Sequence, residues 1–236
     1  MSPHHPPPNG VTTGTWAILV AAGRGDRLGG DRPKAFAKLA GRVLLAESLE
    51  RLDRSDWVES IVIVAPEGWE EPAILLAEEL SASKAVACVT GGATRADSVR
   101  AGLAEVPEEA VVVLIHDAAR PVLPEEVIER VISALGEGWD GAVPALPIDD
   151  TVKRAGPEGA VIETLDRSDL YAVQTPQAFA ADVLRRALSG SGDGTDCSSF
   201  VEAAGGRVRI VEGDHRLVKI TDAADLAFAE SLLREA

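Results

Sequence analysis

Trp16-Ala17-Ile18-Leu19-Val20-Ala21-Ala22-Gly23-Arg24-Gly25-Asp26-Arg27-Leu28-Gly29-Gly30 runs an unbroken apolar stretch straight into a glycine-rich loop. An apolar run without alternation reads as a strand buried on both faces, the situation of a parallel sheet covered by helices. Runs of the same kind recur at 58–64, 85–89, 111–115, 141–145 and 208–211. Between them, Ala/Leu/Glu-rich stretches predict helices near 43–53, 69–82, 95–104, 124–135, 180–188 and 196–204, and a last one near 223–234. Strands alternating with helices imply right-handed crossovers, so the fold class is α/β, Rossmann-like and three-layered, with a mostly parallel sheet.

The 236 residues suit one domain spanning 15–236, preceded by a tail. Residues 1–14 hold four prolines and no charged side chain, which predicts a disordered segment with no secretion signal. No apolar run reaches the roughly 18 residues of a membrane span, so no membrane partner is expected. Cys88 and Cys197 stand in no metal-ligand spacing and suit a reducing, cytoplasmic setting. With 23 Lys+Arg against 38 Asp+Glu, the net charge of −15 argues against a broad nucleic-acid surface. A small anion bound locally remains compatible with it. Residues 147–170 break the rhythm with two short strand-like pieces around Gly156-Pro157-Glu158-Gly159. From pattern alone this is either an edge hairpin on its own domain or an arm reaching across a dimer.

Three loops carry chemistry. In an open α/β sheet, ligands bind outside the carboxyl ends of the strands, where the first loop falls. Its glycines fit neither the dinucleotide nor the P-loop spacing. Its distinction is charge, since residues 21–38 hold Arg24, Arg27, Arg32, Lys34 and Lys38 against Asp26 and Asp31. The second loop, His116-Asp117-Ala118-Ala119-Arg120-Pro121, sets an aspartate at a strand end, where it can hold Mg²⁺ or order the loop. Arg120 offers a planar fork to a phosphate, and His116 reads as a packing or hydrogen-bonding residue rather than a base. The third loop, Gly91-Gly92-Ala93-Thr94-Arg95-Ala96-Asp97-Ser98, reads either as a turn capped by Thr94 or as a ligand-reading edge using Ser98. Near the C-terminus, Lys219 lies in an apolar segment: it either needs an anionic partner, if buried, or snorkels to solvent. No nucleophile–base pair stands out. Cations, glycine loops and one aspartate suit phosphoryl or nucleotidyl transfer, where positioning and charge neutralisation dominate.

AAGRGDRLG…RPKAF, GGATRADSV, HDAARP, DDTVKR, TLDRSDLYAVQTPQAF, TDCSSFVE and VEGDHRLVKIT occur in the order of the 2-C-methyl-D-erythritol 4-phosphate cytidylyltransferase family. The chain resembles that family over about residues 16–235. The resemblance implies a nucleotidyltransferase fold whose β-hairpin arm makes a homodimer, and Mg²⁺-dependent transfer of CMP from CTP to methylerythritol phosphate. It implies CTP contacts at Ala21, Ala22, Gly23, Gly25, Gly92, Ser98 and Asp117, with Asp117 also serving the metal. Arg27, Lys34 and Lys219 match the family's catalytic cations. Arg120, Thr151, Arg154, Arg167 and Thr175 match its acceptor-binding residues, with Thr151 and Arg167 entering a site shared between subunits. Two positions depart from the family pattern: Ala93 where an acid is common, and Asp26 where a base is common. Two rival readings remain open at this point: transfer to another alditol phosphate such as ribitol 5-phosphate, or a non-catalytic nucleotide-binding regulator.

Overall fold

The computed structural model describes residues 14–23, 25, 32–190, 194 and 196–235. Chain order begins β1 (Thr15–Val20), a 3-10 turn (Lys34–Phe36), β2 (Lys38–Leu39), β3 (Arg42–Val43), α1 (Leu44–Arg54), β4 (Ser60–Ala65) and α2 (Glu70–Glu79). It continues β5 (Ala85–Thr90), α3 (Arg95–Ala104), β6 (Val112–Asp117), α4 (Glu125–Ser133), β7 (Gly141–Pro147), β8 (Lys153–Ala155) and β9 (Val161–Thr164). The last third holds β10 (Tyr171–Val173), β11 (Gln177–Ala180), α5 (Ala181–Leu188), α6 (Cys197–Ala203), β12 (Val208–Glu212) and α7 (Ala223–Glu235).

Eight strands form the central sheet, with β1 between β4 and β6, and β5 outside β4. On the other side β11 joins β6 to β7 through antiparallel pairing, and β12 runs parallel along the far edge of β7. Alternate side chains of the central strands feed two cores. Ala17, Leu19, Ile61, Ile63 and Leu114 pack with Leu45, Leu49, Val127 and Val131 of α1 and α4. Ile18, Val62, Val113 and Ile115 pack with Val99, Leu184 and Phe200 of α3, α5 and α6 on the opposite face. This is the expected three-layer arrangement, and all six predicted strand regions and seven helices are present.

The structure corrects part of the burial reading. Strands β5 and β12 are not buried on both faces: they are sheet edges, and Val86 and Ile210 are exposed. The antiparallel insert β10/β11 and the β2–β3 hairpin have no counterpart among the elements expected from the sequence. Residues 1–13 of the predicted tail lie outside the described residues. Gly14, assigned to that tail, already belongs to the fold, because its N–H donates to Glu59 Oε2 at 2.6 Å and its carbonyl accepts from Val111.

The predicted hairpin is β8–β9, a separate two-stranded sheet whose residues are all exposed, including Val161 at 61% and Ile162 at 67%. It is therefore not an edge addition to the central sheet. A third, smaller core of Leu39, Leu44, Ile220 and Ala229 fastens α7 to β2–β3, and Glu230 Oε1 accepts the Ala40 N–H at 3.0 Å. This core matters for the site because it anchors Ile220, the residue after Lys219.

Candidate active site

The carboxyl ends of four neighbouring strands, β6, β1, β4 and β5, are stitched together by backbone hydrogen bonds. Ala21 N–H donates to Val64 at 2.8 Å, Gly91 N–H to Ala65 at 2.8 Å, and Ala118 N–H to Val20 at 3.0 Å. The stitching is tight enough that a Cβ on Gly91 would stand 2.2 Å from the Ala22 Cβ, so only glycine lets these loops meet. Between them lies a cavity of about 320 Å³ lined by the backbone of Ala21, Ala22, Gly23 and Gly92 and by Lys34, Ser98, Asp117 and Lys219. Its described charged side chains are three cations (Lys34, Arg95, Lys219) and one carboxylate (Asp117). Of the five cations expected in the first loop, Lys34 lines the cavity, Arg24 and Arg27 lie outside the described residues, and the other two cavity cations, Arg95 and Lys219, come from other segments.

Asp117 ends β6 and is buried. Its Oδ1 accepts from Arg95 Nε at 3.0 Å and Nη2 at 2.9 Å, and its Oδ2 accepts from Lys219 Nζ at 2.8 Å. Burial alone would raise its carboxyl, but Arg95, Lys219 and Arg120 outweigh that and hold it far below the usual carboxylate range. Lys219 is exposed rather than buried, yet it pairs with this carboxylate. The third loop has the capped-turn form of its first reading, and Ser98 is buried. Thr94 and Asp97 form a reciprocal capping box at the start of α3, and the same turn lines the cavity. Ser98 Oγ accepts from Gly92 N–H at 3.1 Å and donates to Thr94 O at 3.0 Å, so the hydroxyl braces the glycine turn and keeps one lone pair in reserve.

A second cavity of about 440 Å³ opens on the other side of Asp117. It shares Arg95, Asp117 and Lys219 with the first and adds Arg120, Thr175, Gln177, Asp196 and Ser198. Mixed acids, amides and hydroxyls make this wall suited to a polyol rather than to a polyphosphate. His116 lies beneath it with no exposed surface, its Nδ1 facing Thr175 Oγ1 at 3.2 Å and its Nε2 facing Arg120 O at 3.0 Å. Burial pushes its pKa down to about 4, which supports the structural reading of this residue. In the unfolded chain it titrates near 6.5, so between pH 4 and 6.5 the unfolded state binds the extra proton and stability rises with pH. The His116 contribution should fall by about 2 kcal/mol from pH 7 to pH 5. Urea unfolding of wild type and His116→Gln at both pH values measures this, and parallel losses in the two proteins would refute it.

Comparison with known proteins gives these cavities a context. The family model described as IspD, 2-C-methyl-D-erythritol 4-phosphate cytidylyltransferase, matches residues 15–235. A curated relative from Saccharopolyspora erythraea with that name is 47% identical over 221 residues, covering 92% of this chain and 98% of the relative. The chain belongs to this family. It is thereby a nucleotidyltransferase enzyme of isoprenoid synthesis. Among solved structures it is similar to the 2-C-methyl-D-erythritol 4-phosphate cytidylyltransferase of Thermus thermophilus, with a TM-score of 0.76, 32% identity, and 92% and 98% of the two chains covered. It is also similar to the 4-diphosphocytidyl-2C-methyl-D-erythritol synthase of Anaerococcus prevotii, with a TM-score of 0.80, 27% identity, and 93% and 98% covered.

For this cytidylyltransferase-family chain, most residues singled out in the sequence converge. Ala21, Ala22, Gly23, Lys34, Gly92, Ser98, Asp117 and Lys219 line the first cavity, and Arg120 and Thr175 the second. Gly25 packs under Lys34, with φ +73° and a built Cβ only 2.5 Å from the Lys34 Cβ. Arg27 lies outside the described residues. Thr151, Arg154 and Arg167 line neither cavity of their own chain: Thr151 is exposed, Arg154 pairs with Glu163 at 3.5 Å across the hairpin, and Arg167 Nη1 donates to Ile148 O at 3.1 Å. The site residue overlooked in the sequence is Arg95. Its signal was legible, because an arginine at the first position of a helix opposes the macrodipole and calls for an anionic partner. The polar wall of Gln177, Asp196 and Ser198 was also missed, since its members become neighbours only through the antiparallel insert and α6.

Among the described residues no helix is long and apolar enough to cross a membrane. Both cysteines are free thiols.

Proposed function

We propose that CTP occupies the first cavity and methylerythritol phosphate the second, so that the reacting phosphates meet at the wall the two cavities share. The observation that carries this reading is the common wall of Arg95, Asp117 and Lys219, with excess positive charge on the first side and a mixed acidic and hydroxyl lining on the second. A nucleotide triphosphate needs the former and a sugar-alcohol phosphate the latter. An acceptor phosphate oxygen forms a bond to the α-phosphorus of CTP while the bond from that phosphorus to the bridging oxygen of the β-phosphate breaks. Pyrophosphate leaves, carrying that electron pair, and the cytidine diphosphate derivative remains. The backbone of Ala21, Ala22, Gly23 and Gly25 and the Gly92–Ser98 turn hold the nucleotide. Lys34 and Lys219, joined on sequence grounds by Arg27, offset the charge that accumulates at the α-phosphorus.

Asp117 is the one carboxylate lining the first cavity among the described residues, and no cluster of three metal-type ligands occurs there. That set fits Mg²⁺, which uses one or two carboxylates and takes its remaining ligands from substrate phosphates and water. Asp117 Oδ1 already accepts two donors from Arg95, whereas Oδ2 accepts only Lys219 and keeps a lone pair for such a contact. When bound, the ion, held by Asp117, would help neutralise phosphate charge.

The exposed β8–β9 arm, with Val161 and Ile162 open to solvent, supports a homodimer in which Thr151, Arg154 and Arg167 serve acceptor binding at a partner's site. Arg167→Met and Thr151→Ala should then raise the acceptor KM roughly 10-fold, the loss of about 1.4 kcal/mol, and leave CTP affinity unchanged. Mixing Arg167→Met with Lys34→Ala protein should restore activity by forming one intact composite site, and additive inactivity would argue for a self-contained site. A cytoplasmic location completes the reading, and neither nucleic acid nor membrane is required by it.

The experiment is pyrophosphate release from CTP with Mg²⁺ and methylerythritol phosphate, ribitol 5-phosphate or no acceptor. Release with the first confirms the assignment. Release only with ribitol 5-phosphate moves it to another alditol phosphate, and no release at all points to a regulator.

A further inference from the structure

Arg95 connects the two cavities through a side chain held by Asp117 and Cys197. It is the first residue of α3 and lies inside the Thr94–Asp97 capping box, which fixes its backbone. Two of its N–H groups converge on Asp117 Oδ1, and Nη1 faces Cys197 Sγ at 3.4 Å. Lys219 takes the opposite carboxylate oxygen from a different loop, and its side chain is 43% exposed. The side chains of Arg95, Asp117 and Lys219 line both cavities.

We propose that Arg95 is a positioning residue for the transfer reaction, one that acts through Asp117 on Lys219. By engaging Oδ1 with two donors, the guanidinium stops rotation of the carboxylate and presents Oδ2 alone to the ammonium. Lys219 then stands at the seam between the cavities, where the new phosphorus–oxygen bond forms. Without Arg95 the carboxylate turns freely and draws the ammonium onto both of its oxygens, away from the seam. The Cys197 sulfur bounds the far side of the guanidinium and keeps its plane aligned with Asp117. This inference rests on the placement of donor and acceptor proposed above, but it assigns a residue that placement does not use.

The test is a double-mutant cycle in the full-length enzyme with Arg95→Gln, Arg95→Lys, Asp117→Asn and the double variant Arg95→Gln/Asp117→Asn. Turnover, calorimetric CTP affinity and thermal melting are measured for each. A displacement of about 1 Å at a reacting group costs on the order of 100-fold, so Arg95→Gln should lower kcat roughly 10- to 100-fold. CTP affinity should move less than about 3-fold, and Arg95→Lys, which restores one donor, should recover part of the rate. In the Asp117→Asn background the same Arg95 change should cost less than about 2-fold, because its path to Lys219 is already broken. An unchanged kcat in Arg95→Gln, a CTP affinity that falls in step with kcat, or a full loss on top of Asp117→Asn would each overturn the proposal. If Arg95→Gln fails to fold, Arg95→Lys decides on the same criteria. Wild-type turnover with methylerythritol phosphate reports separately on the functional assignment, so failure of one is not mistaken for failure of the other.

Discussion

Lys34→Ala lowers kcat by roughly 100-fold or more, with a smaller change in the KM for CTP, when pyrophosphate release is followed at saturating acceptor. The expectation follows from where the lysine stands. It opens the 3-10 turn Lys34–Phe36, whose next two residues are buried, and the Phe36 ring packs on Trp69 with centroids 4.5 Å apart. The anchor is therefore Ala35 and Phe36 rather than the lysine stem, so truncation leaves the turn in place and removes the charge. The cation lines the positive cavity together with Lys219, and charge at the α-phosphorus is greatest in the pentacoordinate transition state. An interaction that strengthens at that point appears in kcat more than in binding. Lys219→Ala should behave alike, and its neighbour Ile220, in the small core with Leu39 and Leu44, keeps that segment docked. A kcat within about 3-fold of wild type for Lys34→Ala, with normal melting, would remove it from the catalytic set.

The fold is legible in the sequence because its signal is local. Each central strand is a continuous apolar run, and each of the loops after β1, β5 and β6 carries its glycine or charge punctuation in adjacent residues. The residues of the first cavity are legible for the same reason: Ala21 to Gly23, Gly92 to Ser98 and Asp117 are short segments that the parallel topology brings to one edge. What stays hidden depends on distance in sequence. Edge exposure of β5 and β12 follows from strand order, which no local pattern states. The Gln177–Asp196 contact at 2.9 Å needs the antiparallel insertion of β11 between β6 and β7. The Arg95–Asp117–Lys219 bridge spans three loops separated in sequence by most of the domain. Burial makes these pairings obligatory, but only the assembled sheet says which partners meet.

Asp117→Ala should be the most damaging single change, costing stability and turnover together. Removing one member of a buried ion pair leaves the other charge without compensation, at about 3–5 kcal/mol. Lys219 is partly exposed and can turn to solvent, so the cost falls on Arg95 and a value near the lower end, about 3 kcal/mol, is expected. No neighbour takes the carboxylate's place. Burial pushes the Cys197 thiol up to about 11 against the pull of Arg95, so at neutral pH it faces the guanidinium uncharged. Arg120 is itself a cation, and its own guanidinium is committed to the Leu217 carbonyl. The sign of the pH dependence separates this loss from that of His116. The folded-state pKa of Asp117 is depressed, so its stabilisation is complete above the unfolded value near 3.9 and is lost only as pH falls toward the depressed one. The stability gap between wild type and Asp117→Ala, read from urea unfolding, should therefore stay constant from pH 7 to pH 5. A gap that closed by pH 5 would mean the carboxylate is not held by Arg95 and Lys219 as the structure places it.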